Sequence, residues 1–220
     1  MIYNDHSNLK GLHSMLSPSG ISWINYSPDE RFAKLQQRYL SAMRQEIGTA
    51  LHEYAADSIA IKEKASKSIA TTMKSVKLYF KAKGYTNEMI NLLPILPEHV
   101  WQTLILYIND SIGFRMDPEV ILYYSDNCFG TTDAINFTNN ILRISDLKTG
   151  DTEAHMEQLF IYAAIFCLEY HFKPSEIMIE TRLYQYGNVV EAVATPDIIV
   201  PLMDIIMSSS QVLNNIKGKE

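Results

Sequence analysis

Cysteine is nearly missing from this chain: Cys128 and Cys167 are the only two in 220 residues. Two thiols are too few for a structural zinc site or a cysteine-held iron–sulfur cluster. They could close one disulfide at most, and nothing else points to an oxidising compartment. Long apolar runs are also absent; the best, 198–207, is interrupted by Asp204 and falls short of a membrane span. The N-terminus MIYNDHSNLKG has no basic stretch followed by an apolar one, so no signal peptide is expected. A cytoplasmic protein without a membrane partner is the expectation. Basic residues are outnumbered, 19 against 25 acidic, for a net charge of −6. That argues against polyanion binding over the whole surface, so any nucleic-acid contact must be local. No G-x-S-x-G, no P-loop and no H-E-x-x-H occurs. Neither a repeat nor a linker marks a second domain, and a single domain over 1–220 is expected, with flexible ends at 1–15 and 208–220.

What is present centres on Gly130–Lys148. Thr131, Asp133, Ile135 and Phe137 alternate on one side of a strand, and Leu142, Ile144, Asp146 and Lys148 on one side of the next. Asn139-Asn140 lies between them, and Asn tolerates the positive φ of a two-residue hairpin turn. Pairing Thr138 with Ile141 sets Asp133 opposite Asp146. Opposed carboxylates repel, unless both bind one hard cation. Lys148 projects from the same face. A merely solvated hairpin face is the other reading of the same residues.

Along the chain, Ser17-Pro18-Ser19 predicts a short helix anchored by Trp23 and Ile24, and Ser27-Pro28-Asp29-Glu30 opens a longer one to Arg44 or beyond. Glu46–Ala60 continues as helix, carrying Gly48 and His52; a lone histidine there is either packed or a ligand. Residues 62–83 hold seven lysines and one acid. On a helix Lys67, Lys74, Lys77 and Lys81 fall within an arc of about 80°, with Ile69, Met73, Val76 and Phe80 opposite. This is a solvated face or a contact for a nucleic-acid backbone. Shorter helices at Thr86–Leu93 and Glu98–Ile112 precede a strand Val120–Tyr124 entered through Asp117-Pro118. Beyond the hairpin, a helix over Glu153–His171 sets Gln158 and Tyr162 on one face. A second hairpin (Ile177–Tyr184, Val189–Ala194, turning at Gly187-Asn188) and a helix Pro196–Met207 close the chain. The class is α/β.

The spacing G-x-x-D at 130–133, then D-x-K at 146–148, resembles the PD-(D/E)XK nucleases, and within them the RecB-like branch. Gly48-x-x-x-His52 resembles that branch's upstream helix motif, and Gln158-x-x-x-Tyr162 its downstream one. Leu16-Ser17-Pro18-Ser19 with Trp23 and Asn25 is similar to the opening of phage-encoded members, and Glu176–Tyr184 with Gln185 to the strand after the Q-x-x-x-Y helix. The resemblance covers roughly residues 14–205. It implies a restriction-endonuclease-like core, a small mixed sheet flanked by helices, with extra N-terminal helices. It further implies Mg²⁺ or Mn²⁺ held by Asp133, Asp146 and the Leu147 carbonyl, with His52 as a further ligand; Lys148, Gln158 and Tyr162 as catalytic-site residues; and DNA as partner. The implied activity is a metal-dependent deoxyribonuclease, an exonuclease in recombination or DNA processing. An inactive binding module and an endonuclease of the same fold are the alternatives. A recombination or helicase partner and a homo-oligomer stay open. Some relatives carry an iron–sulfur ligand where Tyr26 stands, so no cluster is expected. Relatives often place a carboxylate four residues after the motif histidine, where this chain has Ala56, and a metal-binding Glu on the strand here containing Tyr123. With Glu119 only at that strand's start, this ligand is not carried over.

Overall fold

The computed structural model describes residues 4–11, 14–150 and 155–218. Its contacts divide the chain into a unit of residues 1–47 and a unit of residues 48–220. In the first, the short helix expected from Pro18 instead spans Ile21–Asn25 as a single 3-10 stretch, after Gly20. Ser17 spends its hydroxyl on Ser19 and its carbonyl on the Trp23 indole, so it caps nothing. Trp23 is half-buried and Ile24 is exposed, so Ile24 is no anchor. Helix α1 (Pro28–Ala60) begins here and ends in the second unit. Its start is fixed by Ser27, which accepts from the Glu30 amide and donates to the Glu30 carboxylate.

In the second unit, α2 (Ile69–Lys83) starts later than the lysine spacing suggests. The Ser68 hydroxyl accepts from the Thr71 amide, and Lys62 sits at φ 60 in the loop before it. Lys67 therefore lies outside the helix and off the expected arc. Lys74 and Lys81 are exposed and Lys77 half-buried, opposite buried Thr72, Val76 and Phe80. A short α3 (Asn87–Leu92) leads to α4 (Glu98–Gly113), whose Val100, Trp101, Leu104, Tyr107 and Ile108 are all buried.

Five strands follow: β1 (Asp117–Ser125), β2 (Cys128–Thr138), β3 (Ile141–Leu147), β4 (Met178–Gln185) and β5 (Asn188–Val193). They lie in sequence order, all antiparallel except β3 against β4. That one parallel pair needs a crossover, and α5 (Glu157–Tyr170) supplies it. The expected start of this helix, Glu153, lies outside the described residues. Ala163, Ala164, Ile165 and Phe166 of α5 pack with Ile135, Leu142, Ile144 and Ile179 of the sheet. The second hairpin turns at Tyr186-Gly187, both with positive φ, so Asn188 belongs to β5 and not to the turn. Helix α6 (Pro196–Ile216) runs well past Met207. Ile199, Leu202, Met203 and Ile206 join the core, whereas Ile198, Ile205, Val212 and Ile216 are exposed. By length and composition α6 would suffice to cross a membrane, with a mean hydropathy of 1.2. Here its buried side seats against α5. The architecture is thus mixed α/β, a five-stranded mixed sheet flanked by helices.

Candidate functional site

Asn139 and Asn140 take φ of 54° and 60°, the geometry of a type I′ hairpin. Thr138 pairs with Ile141, and the ladder continues in step to Ala134 opposite Ser145. The paired ladder stops there; one step further the same register would set Asp133 opposite Asp146, and the Asp133 carboxylate accepts the Leu147 amide at 2.8 Å. Alternation sends Asp146 and Lys148 to the α5 side with Ile144, while Ser145 turns to Met116, just after α4.

Asp146 is only 4% exposed. Burial, and then the charge of Asp133, push its carboxyl up to about 6, against the opposing pull of Lys148 and His52. The Lys148 ammonium lies 3.1 Å from Oδ1 and 2.9 Å from Oδ2 of Asp146. The hydrogen bond goes to Oδ1; Oδ2 is buried and in close charge contact, yet accepts no hydrogen bond. Gln158 Oε1 accepts from the same ammonium at 3.3 Å. On the other side, His52 Nδ1 stands 3.5 Å from Asp133 Oδ2. Burial works against the imidazolium, but Asp133 and then Asp146 outweigh it, and the His52 pKa is raised. Two carboxylates thus face one ammonium and one imidazole.

The glycines of both motifs serve close approach. A Cβ on Gly130 would stand 3.0 Å from Tyr162 Cε1, and one on Gly48 would stand 3.0 Å from Thr149 Oγ1. The Tyr162 hydroxyl donates to the Thr131 carbonyl at 2.7 Å, pinning α5 to β2 two residues before Asp133. Gln185 donates to the Gly150 carbonyl, and the Lys148 amide donates to the Tyr184 carbonyl at 2.9 Å. Asp133, Asp146, Lys148, Leu147, Gln158, Tyr162 and His52 are therefore assembled around one hairpin end. Lys67, Lys74, Lys77 and Lys81 make no contact with it. Asp57 is turned away too, bound by Tyr79 and Lys83.

Two residues escape the sequence reading. The register sets Pro118 opposite Ala134 and Val120 opposite Thr132, which leaves Glu119 across from Asp133. Its φ of 53° is unusual for a strand. Burial and then Asp133 raise the Glu119 pKa, while His52 lowers it, so its carboxylate feels the same site. The signal was Glu119 itself; strand periodicity alone could not place it. Tyr107 is the second. It packs edge-on against Tyr184 beneath the site, and burial, then Asp133, Asp146 and Glu119, hold its hydroxyl neutral.

Among the described residues, no group of three or more His, Cys, Asp or Glu is drawn to metal-ligand spacing. The donor set still suits a hard divalent cation: carboxylate oxygens, one of them buried without an accepted hydrogen bond. No curated protein and no solved structure matches the chain. The family described as "Protein of unknown function (DUF2800)" matches residues 13–173, most of the chain, and the protein belongs to that family.

Proposed function

We propose that this protein is a divalent-metal-dependent deoxyribonuclease that hydrolyses DNA phosphodiester bonds, acting as an exonuclease in DNA recombination or processing. One observation carries the reading: Asp133 and Asp146 lie just beyond the last paired rung of a hairpin and feel each other's charge, with Lys148 against the buried Asp146. Such a pair is costly unless cationic charge is brought to it. Asp133, Asp146 and the Leu147 carbonyl would hold Mg²⁺ or Mn²⁺, with His52 as a further donor. Bound there, the ion would supply the acidity that ionises a water and the charge that offsets the phosphate. As an ammonium, Lys148 positions the attacking water; as the neutral amine it would take the water's proton, becoming the ammonium that supports the negative charge building on the phosphate. Gln158 fixes the ammonium of Lys148 for that task. Tyr162 holds the strand that carries Asp133, and Glu119 adds a third carboxylate beside it. The protein would act in the cytoplasm.

Lys74, Lys77 and Lys81 on α2, with Lys67 in the loop before it, are the proposed contacts to the DNA backbone. The test is digestion of end-labelled linear duplex and single-stranded DNA in Mg²⁺, Mn²⁺ or EDTA. Metal-dependent loss of label, abolished in folded Asp146→Ala and Lys148→Ala, is the expected result. Intact DNA under every metal, with folded wild-type protein, would overturn the catalytic reading. Covalently closed circles distinguish an exonuclease, which needs an end, from an endonuclease.

A further inference from the structure

Helix α6 has two apolar sides, and the fold uses only one of them. Ile199, Met203 and Ile206 join the core, and Ser210 is buried with its hydroxyl on Ser125. Ile198, Ile205, Val212 and Ile216, by contrast, are 39%, 59%, 56% and 75% exposed. At about 100° per residue these four fall within an arc of about 40°, roughly a third of a turn from the buried side. Half-buried Leu202 and exposed Ser209 lie between them, so the six recur from Ile198 to Ile216 at steps that alternate between four residues and three. That is the spacing of a seam between two helices. The core already has its own stripe on α6, which leaves this second one for another helix.

The chemistry of the stripe selects its occupant. A helix lying in a lipid surface carries Lys and Arg on its polar side, whereas α6 has no basic residue before its C-cap Lys217 and carries Asp197 and Asp204. Asp204, Gln211, Asn214 and Asn215 on the far side make it a poor bilayer span. The seam matches itself instead. Laid antiparallel about a twofold axis level with Met207, Ile198 meets Ile216, Leu202 meets Val212, and Ile205 meets Ser209. The small Ser209 side chain leaves the hole that an isoleucine knob fills. The same register sets Asp197 level with Lys217 of the other copy and opposes the two helix dipoles, and both are favourable. A parallel pair would align the dipoles and set Ser209 against Ser209. From Ile198 to Ile216 the strip is about 27 Å long and about 10–12 Å wide. Its footprint, on the order of 300 Å² on each copy, is well short of the ~800 Å² of a standard interface, so the pair is weak and forms only at high concentration.

We propose that α6 is a self-association helix: the Ile198–Ile216 stripe of one copy pairs antiparallel, about a twofold axis, with the same stripe of a second copy of this chain. The pairing goes beyond the nuclease reading and does not depend on it, since no residue of the Asp133–Asp146 site takes part.

The experiment is sedimentation equilibrium of the full chain from about 1 μM to about 1 mM, the range over which so small a contact fills. The wild type should pass from monomer to dimer as concentration rises. Ile205→Glu/Val212→Glu should raise the dissociation constant at least about a hundredfold, because each carboxylate would be buried unpaired in the seam. Both side chains are exposed in the monomer, so at the dilute end the variant should keep the wild-type melting curve. Mild oxidation in a Cys128→Ser background reads the register. Ile198→Cys/Ile216→Cys should give a disulfide-linked dimer, and neither single variant should, because like positions lie about 27 Å apart along the seam. Monomer at every concentration overturns the proposal, as does a dimer that the double glutamate leaves intact. Ready cross-linking of either single variant overturns the antiparallel register. A monomer that instead partitions onto vesicles of phosphatidylcholine and phosphatidylglycerol, and stops doing so in the double glutamate, assigns the stripe to a lipid surface and overturns it too.

Discussion

At the scale of single residues, Asp146 makes the sharpest statement. An ordinary aspartate ionises near 3.8 and this one near 6, raised by burial and by Asp133. Between those values the folded state keeps a proton that the unfolded chain has released. Stability therefore falls as pH rises through that window and is level above it. A shift of this size corresponds to about 2–3 kcal/mol. In EDTA, Asp146→Asn should accordingly be more stable than the wild type at pH 7–8, by about 2 kcal/mol, and lose that advantage below pH 4. Urea unfolding at pH 4, 6 and 8 measures this directly. An equal difference at all three values would show that Asp146 is not held above its usual pKa. On the proposed reading, catalysis and stability would oppose each other at this residue: the carboxylate that would hold a cation is the one the metal-free fold is better without.

At the scale of elements, the β2–β3 hairpin is the best test of what sequence can show. Asn139-Asn140, the alternation on either side and the expected Asp133–Asp146 opposition all follow from local turn chemistry and strand period, and the register agrees from Thr138 opposite Ile141 as far as Ala134 opposite Ser145. What escaped depends on neighbours far away in sequence. Glu119 comes beside Asp133 only because β1 pairs with β2. Tyr107 sits beneath the site only because α4 packs on β4. Lys67 was placed on a helix because lysine spacing carries a period but no start signal, and Ser68 supplies the start. α6 continues past Met207 because Ser210 is buried and hydrogen-bonded to Ser125, a polar contact that apolar periodicity does not reveal. The turn itself is open to test. Both Asn residues have φ above zero, where glycine is unstrained. Asn140→Gly should stabilise the protein by about 0.5–1 kcal/mol, and Asn139→Ala/Asn140→Ala should cost about 1–2 kcal/mol. Denaturant midpoints give both values, and a neutral double-alanine variant would show that the turn does not set the register.

At the scale of the molecule, charge is unevenly placed. The net charge is −6, yet residues 62–83 carry seven lysines against Glu63 alone, leaving the remainder strongly acidic. Among the described residues, Lys83 alone of these seven is tied into ion pairs, with Glu53 and Asp57. Its neighbours Lys74, Lys77 and Lys81 are the proposed contacts for a partner's phosphates. If this acidic protein holds a polyanion, it can do so only where cations are concentrated, and α2 is the proposed place. Each phosphate neutralised should add about 0.7–0.9 to the slope of log affinity against log salt. Replacing Lys74, Lys77 and Lys81 by Ala should therefore weaken DNA binding several-fold at low salt and reduce the slope by about 2–3, alike for every sequence. If the slope is unaltered, α2 is a solvated face and contributes nothing to holding DNA.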